Sequence, residues 1–163
     1  MNNDLVDRIA TFLAAHHVLS LATHGPEGPH AANLFYACDG VALVWVSETD
    51  TRHSRDVAAD ARVAATIAPD YADFSAIRSV QVFGAARQIV AADERQRHLA
   101  LLEARYPFLL KLKTGPAKLR EAYARVSPYR LQPMRMVLID NSKGFGHKET
   151  IEFPAASRGR GGG

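Results

Sequence analysis

A single cysteine, Cys38, rules out an internal disulfide and a cysteine-rich metal knuckle. It stands beside a turn with no base paired to it, which reads as a free structural thiol rather than a nucleophile. No apolar run approaches the roughly 20 residues that span a bilayer, and Met1-Asn2-Asn3-Asp4 lacks the basic and apolar regions of a signal peptide. The expectation is a cytoplasmic protein with no membrane partner. The seven histidines show no ligand spacing, since His16 and His17 are adjacent and the others isolated, so no metal is expected. Net charge is also small: the formal excess is +3, the arginines are spread out, and no basic patch interleaves with aromatics. Nucleic acid is therefore not an expected partner. There is no Ser, His, Asp order and no nucleophile elbow, and Gly144-x-Gly146 lacks the third glycine of a dinucleotide fingerprint, so hydrolase and Rossmann readings fall away.

What remains is a chain of 163 residues with 47% apolar content, enough for one domain with a real core. That domain is expected over residues 1–153, followed by a flexible Gly/Arg tail over 154–163. Leu5, Val6, Ile9, Phe12 and Leu13 fall at helical spacing, and Asp4 and Asp7 sit where a helix dipole favours acids. Val18 to Thr23 reads as a strand, His24 to Pro29 as a loop, and His30 to Ala37 as a second strand. Cys38-Asp39-Gly40 supplies turn chemistry before a third strand, Val41 to Val46.

A polar turn then leads into a short helix over Arg52 to Asp60, with Thr51 as its N-cap. Free N–H groups of a first helical turn beside Arg52, His53 and Arg55 suit a phosphate group. Arg55, one turn on, is expected to point away from the helix mouth. Strands over Arg62 to Ala68 and Arg78 to Val90 follow, the second with a bulge or bend at Gly84. Helices are expected over Asp93 to Tyr106 and Pro116 to Ala124, then a sixth strand over Tyr129 to Asp140, with an edge or bulge at Pro133. Short strands with helices inserted point to a β-rich (α+β) fold: a six-stranded split β-barrel with peripheral helices.

Four blocks in this order carry a family resemblance: Ala32-Asn33-Leu34-Phe35-Tyr36, Thr51-Arg52-His53, Ile77 to Gly84, and Asp140 to Lys148. Together they resemble the pyridoxamine 5'-phosphate oxidase-like superfamily of flavin-binding split barrels, in a small and poorly characterised bacterial branch. The resemblance implies flavin mononucleotide (FMN) held between the subunits of a homodimer. It implies that Thr51, Arg52 and His53 bind the cofactor phosphate, with His53 standing where the family has a lysine and so giving a weaker, pH-dependent donor. It also implies that Ala32, Asn33, Leu34, Phe35 and Tyr36 run along the isoalloxazine ring, with Val46 and Ser47 contributed by the third strand.

Two departures speak against the name-giving reaction. The family's arginine at the start of the second-strand block is Ala31, and the lysine at its end, which helps hold the vitamin substrate, is Tyr36. The Arg and His motif that grips pyridoxamine phosphate is also absent, with Gly144 to Lys148 in its place.

Further candidates are Ser79 and Gln81, which share one strand face where an amide can meet the flavin pyrimidine edge, and Asn141 and Lys148 after the sixth strand. Phe35, Tyr36 and Trp45 lack an obvious partner within one subunit, which points to a second copy. No acid/base pair stands out, so no catalytic residue is assigned. The expected activity is a flavin-dependent oxidoreductase acting on a small molecule. The alternative is a non-catalytic module that binds flavin, haem or a deazaflavin for sensing or storage.

Overall fold

The computed structural model describes residues 3–154, so the tail read from the sequence lies, Pro154 apart, outside the described residues. The elements run α1 (Asn3–Ala15), β1 (Val18–Gly25), β2 (Gly28–Phe35), β3 (Ala37–Asp39), β4 (Ala42–Glu48), α2 (Arg52–Ala59), β5 (Arg62–Ile67), β6 (Arg78–Gln88), α3 (Ala92–Arg105), α4 (Pro107–Thr114), α5 (Ala117–Arg125), β7 (Val126–Asp140) and β8 (Lys148–Glu152). The architecture is the expected β-rich split barrel, built from eight antiparallel strands rather than six. One extra strand arises because the second predicted strand breaks at Tyr36 and its end, β3, pairs with β4. The other, β8, carries a single buried apolar residue, Ile151, and gave little periodicity to read.

The sheet order is β2-β1-β5-β6-β7-β4-β3, with β8 beside β7. One edge of β7 is taken by β6 along most of its length. The other edge is divided, with β4 on Val126 to Leu131 and β8 on Arg135 to Ile139. Pro133 sits in that division, where a residue without an N–H leaves no ladder bond unmade. Opposite it, Gly84 lies at a register shift, and a Cβ there would come within 2.1 Å of the Gln132 carbonyl oxygen. The bulge read from Gly84 is real, and its cause is close backbone approach.

The core gathers Leu5, Ile9 and Leu13 from α1 with Leu19, Leu21, Leu43, Trp45, Ile67, Val80, Val82, Leu131 and Met136 from the sheet. The Leu5, Ile9, Leu13 repeat is the buried stripe of an amphipathic helix. Arg8 on the same helix grips Glu149 of β8 through two bonds of 2.6 and 2.7 Å, which ties the last strand to the first helix. A smaller cluster, Ala37, Val44, Leu102, Tyr106 and Leu109, lies where α3 and α4 cover β3 and β4. Among the described residues no helix is long and apolar enough to cross a membrane.

Candidate functional site

The loop expected over His24 to Pro29 is in fact a tight hairpin. β1 runs to Gly25, β2 begins at Gly28 with φ 91°, and only Pro26 and Glu27 turn between them. Pro29 is tolerated because β2 is an edge strand. Against this hairpin α2 is clamped from below: the Thr23 hydroxyl donates to Asp56 Oδ2 at 2.8 Å, both residues are buried, and Gly25 leaves room for the carboxylate. The clamp sets the start of α2 over the end of β1 and the beginning of β2.

Thr51 holds the N-cap position, but its side chain does not cap. Its hydroxyl lies 3.0 Å from the Glu48 carbonyl, 2.8 Å from Ser54 Oγ and 3.2 Å from His53 Nε2. Among the described residues no side-chain oxygen therefore takes up the N–H groups of the first turn, which a helix leaves without internal partners. Arg52 donates to the carbonyls of Glu27 and Gly28 at 3.0 and 3.3 Å. Its Nε is buried and makes no hydrogen bond, with the carboxylates of Glu27 and Asp56 at 3.6 and 3.9 Å. An unmet guanidinium donor beside an uncapped helix start is a donor set for an oxyanion such as a phosphate.

His53 departs from the expected role. It is buried, its Nε2 is 2.7 Å from Ser47 Oγ, and its ring lies parallel to that of His30 with centroids 6.4 Å apart. Burial, then the neighbouring His30, pushes its pKa below the ordinary imidazole value, partly offset by Asp56. At neutral pH it is an uncharged ring that orients the Ser47 and Thr51 hydroxyls. Arg55 departs as well. It does not point away: it approaches the same Glu27 carboxylate as Arg52, at 4.0 Å, and donates to the Asp50 carbonyl. Residues three apart on a helix share a face.

Along β2, the side chains of His30, Ala32 and Leu34 turn to the half-buried side, and Ala31, Asn33 and Phe35 to the exposed side. Because β2 pairs only with β1 among the described residues, its other edge offers backbone N–H and C=O groups to whatever lies in the gap. Beyond Val44, the β3-side edge of β4 is likewise without a strand partner.

Other predicted residues are not brought to this place. Tyr36 is fully buried, its hydroxyl donates to the Leu13 carbonyl at 2.7 Å, and desolvation raises its pKa. Trp45 is equally buried and stacks on Tyr129 at 5.8 Å, although its Nε1 finds no acceptor among the described residues. Phe35 meets Tyr106 and Phe108 at 5.3 and 5.5 Å. All three aromatics thus have partners in their own chain, contrary to expectation. The Val46 side chain packs against the cluster under α3 and α4, leaving only its backbone free to contribute.

Ser79 and Gln81 share a face as expected, but it is the outer one, three strands in from the β2 edge, or about 14 Å. Directly paired residues place Asn33, Ser20, Thr66 and Gln81 in one row, and Ala31, Ala22, Ala64 and Phe83 in the next. All of these uncharged residues but Asn33 line a shallow depression of about 290 Å³. Asn141 clips a turn, donating to the Phe74 carbonyl at 2.8 Å and accepting from the Gly146 N–H at 3.1 Å, and Lys148 is exposed at the start of β8. Sequence reasoning missed Thr23, Glu27, His30 and Asp56. The spacing of Arg52 and Asp56, one helical turn apart, was the one signal available for any of them.

This fold and helix start define a split barrel of the pyridoxamine 5'-phosphate oxidase type, and the chain belongs to the pyridoxamine 5'-phosphate oxidase family, whose model matches residues 5–134. Among its relatives, a UPF0306 protein of Serratia proteamaculans is 34% identical over 143 residues, 86% of this chain and 90% of that protein. Among solved structures, a heme binding protein from Mycobacterium smegmatis superposes with a TM-score of 0.70 at 24% identity, over 90% of this chain and 57% of that one. The heme storage protein HutZ from Vibrio cholerae gives 0.63 at 16% identity, over 78% and 88%.

Proposed function

We propose that this protein binds FMN, with the phosphate on the first turn of α2 and the ring along the free edge of β2, and that it is an oxidoreductase acting on a small molecule. The observation that carries the reading is the helix start itself: Thr51 leaves the first-turn N–H groups uncapped, and the buried Arg52 Nε makes no hydrogen bond among the described residues. Arg52 and the Thr51 hydroxyl would hold the phosphate, His53 would fix the hydroxyls of Ser47 and Thr51, and the backbone of Ala32 to Phe35, with Val46 and Ser47, would border the ring. When bound, the flavin supplies hydride or single-electron transfer, so the protein need contribute no acid/base pair of its own. The burial of Tyr36 speaks against oxidation of pyridoxamine phosphate, because a side chain bonded to the Leu13 carbonyl is not available to a substrate.

A homodimer is part of this reading. The uncharged stretch of the outer sheet face from β2 to β6 supports it, since charge depletion marks the core of interfaces, with Arg135 of β7, stacked 4.2 Å over Phe83, at its rim. Gln81 and Ser79 on that face, and Asn141 and Lys148 beyond it, would then serve the site of the other copy.

A second reading, a haem-binding module without turnover, draws on the two structural neighbours described as heme proteins and on His30, an imidazole half-buried at the β2 edge. The visible spectrum of the purified protein separates the two. Flavin bands, with FMN bound far more tightly than riboflavin, are expected. A Soret band would move the assignment to haem, and a colourless protein that takes up no flavin would end the FMN reading. Sustained flavin-dependent oxidation of a reduced nicotinamide would distinguish an enzyme from a store.

A further inference from the structure

The phosphate reading leaves a problem of charge. Arg52, which it places against the phosphate, is already faced by Asp56, a carboxylate that is buried, fixed by Thr23 and 3.9 Å from Arg52 Nε. Glu27, at the tip of the β1–β2 turn, adds a second carboxylate at 3.6 Å from Arg52 and 4.0 Å from Arg55. His53, the remaining titratable group on this turn of α2, is neutral at neutral pH, and it is faced by His30 from β2. With two guanidiniums and two carboxylates the formal charges cancel, and a phosphate monoester bringing about −1.5 to −2 would enter a neutral site. The two carboxylates differ in mobility: Asp56 cannot leave, whereas the Glu27 side chain is 67% exposed and is held by neither arginine at hydrogen-bond distance.

From this, and resting on the phosphate reading, we infer that Arg55 supplies the surplus positive charge of the site and that Glu27 is a built-in competing anion, displaced when the phosphate binds. Glu27 stands where two guanidiniums converge, which is the place an incoming phosphate would take. Once Glu27 swings into solvent the site carries a net positive charge, with Arg55 uncompensated and Arg52 balanced by Asp56. The arrangement favours ligands that carry a terminal phosphate over neutral ones that carry only the ring, because only the former can replace Glu27.

The test compares wild type, Glu27→Gln, Arg55→Ala and the double variant, with folding checked by circular dichroism. Each is titrated with FMN and with riboflavin, and its thermal stabilisation by inorganic phosphate is measured in parallel. Glu27→Gln is expected to tighten FMN by up to about fivefold, the scale of a surface ion pair, and to leave riboflavin unchanged. Arg55→Ala is expected to weaken FMN by roughly tenfold, and Glu27→Gln to give no gain in its background. Unchanged or weaker FMN binding in Glu27→Gln, or an equal gain for riboflavin, overturns the inference. If no form binds FMN yet inorganic phosphate stabilises Glu27→Gln more than wild type, the anion site stands and the flavin reading falls. If neither ligand has an effect on any form, both fall.

Discussion

Replacing Gly25 with alanine tests the clamp that positions the start of α2. A Cβ at Gly25 would lie 2.0 Å from Asp56 Oδ1 and 2.7 Å from its Cγ, far inside contact distance. The Asp56 carboxylate would have to move, but it is 2% exposed and bound to the Thr23 hydroxyl at 2.8 Å. A hydrogen bond to a charged group contributes about 1.5–3 kcal/mol, and overpacking a filled site costs about 1–3 kcal/mol. The two effects overlap, because moving the carboxylate relieves the clash, so the expected loss is about 2–4 kcal/mol. In a chain of this size that corresponds to a fall in Tm of roughly 5–15 °C. Gly25 does not have a positive φ, so backbone strain adds nothing. The entropic effect of glycine to alanine has the opposite sign, at about 0.4–1 kcal/mol of stabilisation. Direction alone is therefore informative. Urea unfolding should show a lower midpoint with an unchanged slope, and flavin affinity should fall with it as α2 shifts on the hairpin. A variant as stable as the wild type, or more stable, would refute the account of how the helix start is held.

Three other outcomes are expected. Arg52→Ala should weaken FMN binding by roughly ten- to a hundredfold, with Thr51→Ala nearer the low end, as read by flavin fluorescence titration. Trp45, the one tryptophan in the chain, is buried beside Val46 and Ser47, so flavin or haem binding in the gap should quench its emission, and a titration without quenching would place the ligand elsewhere. His53 binds protons less readily folded than unfolded, so its contribution to stability is complete above about pH 6.5 and is lost as pH falls through its lower folded value. Unfolding midpoints measured from pH 7 to 5 should decline, and His53→Gln should flatten that decline.

Periodicity carried much of the fold because the buried stripe of α1, the valine-rich β4 and the bulge at Gly84 each have a local physical cause in neighbouring residues. It carried less where a strand broke. Tyr36 continues the alternation of β2 on the side of Ala32 and Leu34, and at the end of the strand that side is closed by the core, so a large aromatic goes into the core instead of the gap. α4 went unread because its buried side is little more than Leu109, with Phe108 and Leu110 exposed. At the candidate site, the position of Thr51 was legible and the direction of its hydroxyl was not, because that depends on Glu48 and Ser54 competing for one proton. Glu27 and His30 were hidden for another reason: they reach α2 only through the pairing of β1 with β2, a contact between distant parts of the chain, and it is the same packing that brings Thr23 of β1 to Asp56.

The residues expected around one cofactor are divided by β7. Ser47, at the helix-start end of β4, pairs with Ser127, whereas Lys148 pairs with Ile139, and the intervening residues of β7 amount to about 40 Å of extended strand. Gln81 is separated from the β2 edge in another way, since it projects from the outer face of the sheet while Ala32 and Leu34 turn to the opposite face. A ligand that touches Arg52 together with Gln81 or Lys148 is therefore expected to take them from two chains, whereas a ligand confined to one chain is expected at the helix start, the β2 edge and the end of β4. A flavin titration of Gln81→Ala against Arg52→Ala, repeated after mixing the two variants, distinguishes these cases. If the site is shared, the mixture regains wild-type affinity in a fraction of its sites, and if it is not, the two defects remain independent.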